Sequence, residues 1–192
     1  MGYLQRVEKQ PPPFPRMSAR RPDTVEYRAA GKAFTLAIPD RRNGAAMIPH
    51  AKVRLAQCAD LDALFELDDI ARREPKRRAS IAQAVGQGQC WVAEETGDTT
   101  ALLGYGVLND SFFEQAFIPL IVVKESARRR GVGSAILGEL QSRCEAAKLF
   151  TSTNASNEPM RRLLAQLGFI ASGQVDNLDE GDPELIFVKL GS

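Results

Sequence analysis

The chain has 192 residues, a net charge of +1 and 44% hydrophobic residues, enough for one domain whose core needs no metal or disulfide staple. Its three cysteines, Cys58, Cys90 and Cys144, form no Cys-x-x-Cys pair, which argues against structural zinc and a disulfide framework and for a reducing, cytoplasmic setting. No apolar run nears the roughly 20 residues of a membrane span, and the start lacks the apolar stretch of a signal peptide, so a soluble protein is expected.

The charge is unevenly placed. Residues 1–50 hold nine Lys/Arg against four Asp/Glu, together with Pro11, Pro12, Pro13, Pro15, Pro22, Pro39 and Pro49. That composition is expected to give an extended, poorly packed basic arm, with a short strand at residues 34–38. A basic arm suits an acidic partner such as nucleic acid. No aromatic residues alternate with its charges as a stacking platform requires, so nucleic-acid binding is not expected.

The domain proper is expected over residues 51–192. Residues 52–56 alternate as a strand, and Asp60 caps a helix carrying Leu61, Leu64 and Phe65. A second helix is predicted over 75–85, ended by Gly86 and Gly88; the run Arg72, Arg73, Lys76, Arg77 and Arg78 reads as a solvated face. Strands at 90–94 and 101–108, joined by a Gly97-Asp98 turn, form a hairpin, and 117–123 is the next strand. A helix over 134–147 comes next, with Val132, Ile136, Leu137, Leu140 and Cys144 on one face. A strand at 149–153 then completes a right-handed parallel crossover. A short helix carries Asn157, Met160, Leu163, Leu164 and Leu167, closes at Gly168-Phe169, and leads to strands at 169–175 and 185–190. The pattern is α/β: a mixed sheet flanked by helices, without internal repeats.

Between the strand at 117–123 and its following helix lies Arg128-Arg129-Arg130-Gly131-Val132-Gly133-Ser134. Unpaired N–H groups at a helix start carry partial positive charge, and glycine lets the backbone approach a phosphate, so this turn reads as an anion cradle. Three arginines beside it suit a diphosphate. A P-loop requires Lys and Ser/Thr directly after its second glycine, but Ser134-Ala135 follows Gly133. A dinucleotide fold requires a third glycine where Ile136 stands, near the start of the chain.

With Arg128-x-x-Gly131-x-Gly133, then Asn157 on a helix that ends in Gly168-Phe169, residues 52–190 resemble the GNAT superfamily of acyl-CoA-dependent N-acetyltransferases. The resemblance implies a mixed, mostly antiparallel central sheet flanked by helices, with splayed parallel strands at the coenzyme A site. It implies that the cradle, Arg128, Arg129, Arg130, Gly131, Val132, Gly133 and Ser134, binds the diphosphate of acetyl-CoA. The backbone of Ile121, Val122 and Val123 would then pair with the pantetheine arm, the Val123 N–H polarising the thioester carbonyl. Asn157 would bond to the coenzyme, to cap its own helix, or both. The acetyl group would pass to a primary amine, most simply of a small molecule, without a metal. A protein or aminoacyl-tRNA amine, or a non-catalytic acyl-CoA-binding module, is the alternative, and a homodimer is left open.

Two positions depart from the family pattern. The stretch that often carries a catalytic carboxylate is Phe117-Ile118-Pro119, which leaves Glu114 as a candidate base acting through water, or else a solvated strand-end residue. The family's general-acid tyrosine falls on Leu164. At the acceptor side, Asp176, Asp179, Glu180, Asp182 and Glu184 around Gly181 either attract a cationic amine or form a solvated turn.

Overall fold

A computed structural model of the chain describes residues 51–96 and 101–191 in full and the backbone of 24–29 and 32–37. Strands β1 (Thr24–Ala29) and β2 (Lys32–Ala37) pair antiparallel as a separate two-stranded sheet. β2 answers to the strand expected at 34–38, and β1 is an addition to the expected elements. The other expectations for residues 1–50, and the Gly97-Asp98 turn, lie outside the described residues.

The main sheet has seven strands: β3 (Ala51–Leu55), β4 (Cys90–Glu95), β5 (Leu102–Phe112), β6 (Gln115–Val123), β7 (Lys148–Asn154), β8 (Ile170–Val175) and β9 (Glu184–Leu190). Their spatial order is β3-β4-β5-β6-β7-β9-β8. All neighbours are antiparallel except β6 and β7. Helices α1 (Leu61–Leu67), α2 (Asp69–Arg73) and α3 (Pro75–Gly86) cover one face; α4 (Val132–Arg143) and α5 (Glu158–Gln166) cover the other. No helix among the described residues is long and apolar enough to cross a membrane.

Each face encloses its own core. Ile136, Leu137 and Leu140 of α4 and Leu164 of α5 are fully buried with Ile118 and Phe187 of the sheet. Leu64, Ile81 and Val92 are buried with Tyr105 and Val107 on the other side. At about 1.5–3 kcal/mol per buried large aliphatic or aromatic side chain, these two layers are the main source of stability. Gly106 lets α4 settle directly on β5, since a Cβ there would stand 2.6 Å from Ile136 Cγ2 and 2.9 Å from Leu140 Cδ1.

Several local expectations are corrected. The α4 helix stops at Arg143, not 147: Cys144 is already extended, at φ −83° and ψ 109°, and the chain then runs to Ala147, whose carbonyl accepts from the Gly191 N–H at 2.7 Å at the end of β9. Asp60 occupies the cap position of α1 without capping it: its carboxylate accepts from the Gln57 N–H at 2.7 Å and pairs with the Arg54 guanidinium at 2.8 and 2.9 Å. The bond to Arg54 is the largest influence holding the Asp60 carboxyl below its ordinary value.

The basic run is not simply a solvated face. Arg78 donates to the carbonyls of Ala71 and Arg72, both at 2.6 Å, closing the C-terminal end of α2. Asp68 caps the other end, its Oδ1 accepting from the N–H groups of Ile70 at 2.8 Å and Ala71 at 3.2 Å. A five-residue helix has too few internal bonds to stand alone, so these side chains at both ends hold it.

Candidate active site

The parallel β6–β7 ladder is short. It joins Ala116 to Leu149, Phe117 to Phe150 and Ile118 to Thr151, and there it ends. Beyond that point β7 stays in register with β9 up to Asn154 opposite Glu184, while β6 stays in register with β5 up to Val123 opposite Gly104. A gap therefore opens between β6 and β7, as expected for the splayed strands.

The main chain of β6 supplies the wall of this gap. The Lys124 N–H donates to the Leu103 carbonyl at 2.9 Å. By the alternation of an antiparallel ladder, the backbone groups of Val122 then also face β5, while those of Ile121 and Val123 face the gap. The Val123 carbonyl is indeed free of β5 and receives a long contact, 3.4 Å, from Arg128 Nε.

The cradle stands at the end of this strand. After a 3-10 turn at Glu125–Ala127, Arg129 and Gly131 both adopt left-handed backbone angles, φ 60° and 78°. Alternation of this kind lines successive N–H groups along one concave side. Gly131 precedes α4, whose first internal bond runs from the Ala135 N–H to the Gly131 carbonyl at 2.9 Å. The N–H groups of Val132, Gly133 and Ser134 accordingly have no carbonyl within the helix to receive them. Arg128, Arg129, Arg130 and Gly131 are exposed. Arg130 is paired with Glu95 at the end of β4, 3.0 Å away.

The two glycines serve different ends. Gly131 is required by its backbone angle, which side chains rarely adopt. Gly133 is not required by the fold: a Cβ there would meet Leu163 Cδ2 at 3.5 Å and Val123 Cγ2 at 3.7 Å, both ordinary contacts.

Asn157 is a helix cap. Its Oδ1 accepts from the Met160 N–H at 3.3 Å and its Nδ2 donates to Thr153 Oγ1 at 3.0 Å. One Nδ2 proton is left over by that count. Leu164, at the family's tyrosine position, is wholly buried in the core.

Glu114 is not brought to the cradle. β5 runs to Phe112 and β6 begins at Gln115, so Glu114 lies in the two-residue turn between them, at φ 60° beside Phe113 at φ 51°. Positive φ at both central residues is what a tight hairpin turn of this hand requires. The nine residues of β6, about 30 Å at 3.3 Å each, separate it from the far end of Val123. Glu114→Gln is therefore expected to leave the pH profile of acetyl transfer unchanged, as steady-state rates between about pH 6 and 9 will show.

The acidic hairpin is partly committed to structure. Asp182 accepts from the Ser156 N–H at 2.9 Å and the Ser156 hydroxyl at 2.6 Å, and Asp179 accepts from Asn154 Nδ2 at 2.7 Å. The two bonds from Ser156 hold the Asp182 carboxyl below its ordinary value. The hairpin is thereby tied to the loop after β7, beside the gap. Among the described residues no group of His, Cys, Asp and Glu converges as a metal site.

Comparison with known proteins identifies this arrangement. The model of the acetyltransferase (GNAT) family matches residues 58–169. A GNAT-family acetyltransferase from Bacillus cereus ATCC 10987 is 36% identical, with a TM-score of 0.67, covering 74% of this chain and 98% of that one. YncA of Salmonella typhimurium, solved with its cofactor acetyl-CoA, shares the fold at 19% identity and a TM-score of 0.59, over 73% of this chain and 93% of its own. The ribosomal-protein-S18-alanine N-acetyltransferase of Escherichia coli shares it at 20% identity and a TM-score of 0.60, over the same shares of the two chains. No functionally curated protein gives a significant match. The family model spans more than half of the sequence, and the Bacillus structure is matched along nearly its whole length. This chain belongs to the GNAT family of acetyltransferases.

Proposed function

We propose that the protein transfers an acetyl group from acetyl-CoA to the primary amine of a small molecule by direct attack on the thioester. The observation that carries this reading is the junction of an open β6–β7 gap with a turn of unpaired amides at its mouth. The diphosphate would lie on the N–H groups from Arg129 to Ser134, beside the three arginines. The pantetheine arm would lie along the gap-facing backbone of β6, as an added strand does.

Chemistry on this chain rests on positioning. The amine attacks as the neutral base, which is only about one part in a thousand of an alkylamine near pH 7.4, so water must accept its proton. The Val123 N–H is the donor for the carbonyl oxygen as it gains charge. The C–S bond then breaks and the coenzyme leaves as a thiolate; with Leu164 in place of the family's tyrosine, solvent supplies its proton. A thiolate of pKa roughly 8.5 leaves without a side-chain acid, at reduced rate.

Residues 51–192 would form the catalytic domain and residues 1–50 a basic, Pro-rich arm. Three free cysteines accord with action in the cytoplasm. Thiol release from acetyl-CoA, measured against a panel of small amines, peptide N-termini and aminoacyl-tRNA, tests the reading. Turnover with small amines is expected. Turnover with peptides or tRNA alone would reassign the acceptor, and tight coenzyme binding without turnover on any of them would make the protein a binding module.

A further inference from the structure

The β7-β9-β8 half of the main sheet carries helices on only one of its faces. Leu185 and Phe187 of β9 belong to the core beneath α4 and α5, so by strand alternation Ile186, Val188 and Leu190 lie on the opposite face. Phe150 of β7 and Ile170 of β8 are both register partners of Val188 and share that face. Helices α1 to α3, on the same side of the sheet, pack only on residues of β4, β5 and β6. Even so, Ile186 and Val188 are only 9% and 7% exposed, while Ile170 and Leu190 at the margin are 43% and 56% exposed. Two buried side chains that belong to neither helix-covered core point to another layer above them.

We propose that the β1–β2 hairpin is that layer: it docks by an apolar face on the surface formed by Phe150, Ile170, Ile186 and Val188 of its own chain. Three observations favour this occupant. β1 lies against β8. The hairpin register sets Val25 opposite Leu36 and Tyr27 opposite Phe34, which places four apolar residues on one face. Glu26 pairs with Thr35 and Arg28 with Ala33, and these fall on the other face. Two strands with a single apolar face are marginal alone in water and need a surface to pack on.

The chain is long enough to make this contact within one molecule. β3 and β8 are the two edges of the main sheet, about 29 Å apart at about 4.8 Å per strand. The residues from Ala37 to Ala51 can extend about 46 Å at about 3.3 Å each. The hairpin can therefore sit at the β8 edge while the chain returns to begin β3. Docked there, it supplies the layer that the helices leave out and shields β8, a sheet edge that would otherwise template pairing with another chain. It also gives this part of the basic N-terminal segment a use inside the molecule, in place of an acidic partner outside it.

Hydrogen exchange of the full chain, read by mass spectrometry, tests the docking without reference to acetyl transfer. The amides of β1 and β2 are expected to exchange at least about a hundredfold more slowly than in a free peptide of residues 22–39. Val188→Ala and Phe34→Ser, one from each surface, should each lower that protection about tenfold and leave the protection of α4 and α5 within about twofold. Thr35→Ser, on the other face of the hairpin, should change neither. Ile170→Ala, at the exposed margin, takes the place of Val188→Ala if that protein fails to fold. Peptide-like exchange of β1 and β2 in the wild type would overturn the docking, as would protection untouched by the sheet-side variant. Protection that rises with protein concentration would overturn it too, by giving the surface to the hairpin of a second copy.

Discussion

Gly133→Val is expected to weaken coenzyme A binding by about a hundredfold, or about 2.7 kcal/mol, while shifting the melting temperature by no more than a few degrees. The separation has a geometric cause. Gly133 is in the first turn of α4, where its Cβ would meet Leu163 and Val123 only at ordinary contact distance, and valine is at least as good a helix former as glycine. The fold has no need of this glycine. A diphosphate held by the amides of Val132, Gly133 and Ser134 does need it, because a branched side chain stands beside the N–H groups that must approach the anion. Gly131→Val makes the control: at φ 78° any side chain is strained, so stability and binding should fall together. Calorimetric titration alongside thermal melting distinguishes the two. A Gly133→Val protein that binds as wild type would place the diphosphate elsewhere.

Most of the elements were legible because their periods are strong and their ends carry punctuation. The helix opened by Asn157 and closed by Gly168 came out as α5, Glu158–Gln166, capped by Asn157 itself. The turn before α4 was legible for a related reason: glycine at fixed spacing after a strand has few physical uses, and Gly131 does take the left-handed angle there. What stayed hidden is what depends on partners distant in sequence. Tyr105 reads as one more strand residue, yet its hydroxyl meets Asp68, 37 residues away. Arg77 and Arg78 read as surface charge, yet both turn inward toward α2. The misplacement of Glu114 came from beginning β6 at 117 when it starts at Gln115, which concealed the turn at Phe113-Glu114. Pro119 inside a strand was a signal available from sequence alone, since proline in a sheet marks an edge or a bulge.

Asp68→Ala is expected to cost about 3–5 kcal/mol of folding stability at pH 7, the usual scale for removing one member of a buried charged cluster. The Asp68 side chain is 3% exposed and joins four partners. Its Oδ1 caps α2 at two amides; its Oδ2 accepts from the wholly buried Tyr105 hydroxyl at 2.6 Å and lies 3.0 Å from Arg77 Nε. Arg77 Nε makes no hydrogen bond, so that contact is charge pairing only. Burial by itself would raise the Asp68 carboxyl. The Tyr105 hydroxyl, the amides of Ala71 and Ile70 and the Arg77 charge outweigh it, and the net shift is downward. Tyr105 shifts the opposite way, raised first by its own burial and then by Asp68, and stays neutral as a donor. A carboxyl with a lower pKa folded than unfolded contributes fully above its unfolded value of about 3.9 and loses that contribution as pH falls through the folded value. Urea midpoints for wild type and Asp68→Ala should therefore differ most above about pH 4, and the difference should narrow as pH falls below that, through the depressed folded value of Asp68. Tyr105→Phe, which removes one donor and leaves the other three partners, should lose only about 1–2 kcal/mol. Were Asp68→Ala as stable as wild type at pH 7, the cluster would not be what fixes α2 against the sheet, and the wall that α1 to α3 form on this face would be held by apolar packing alone.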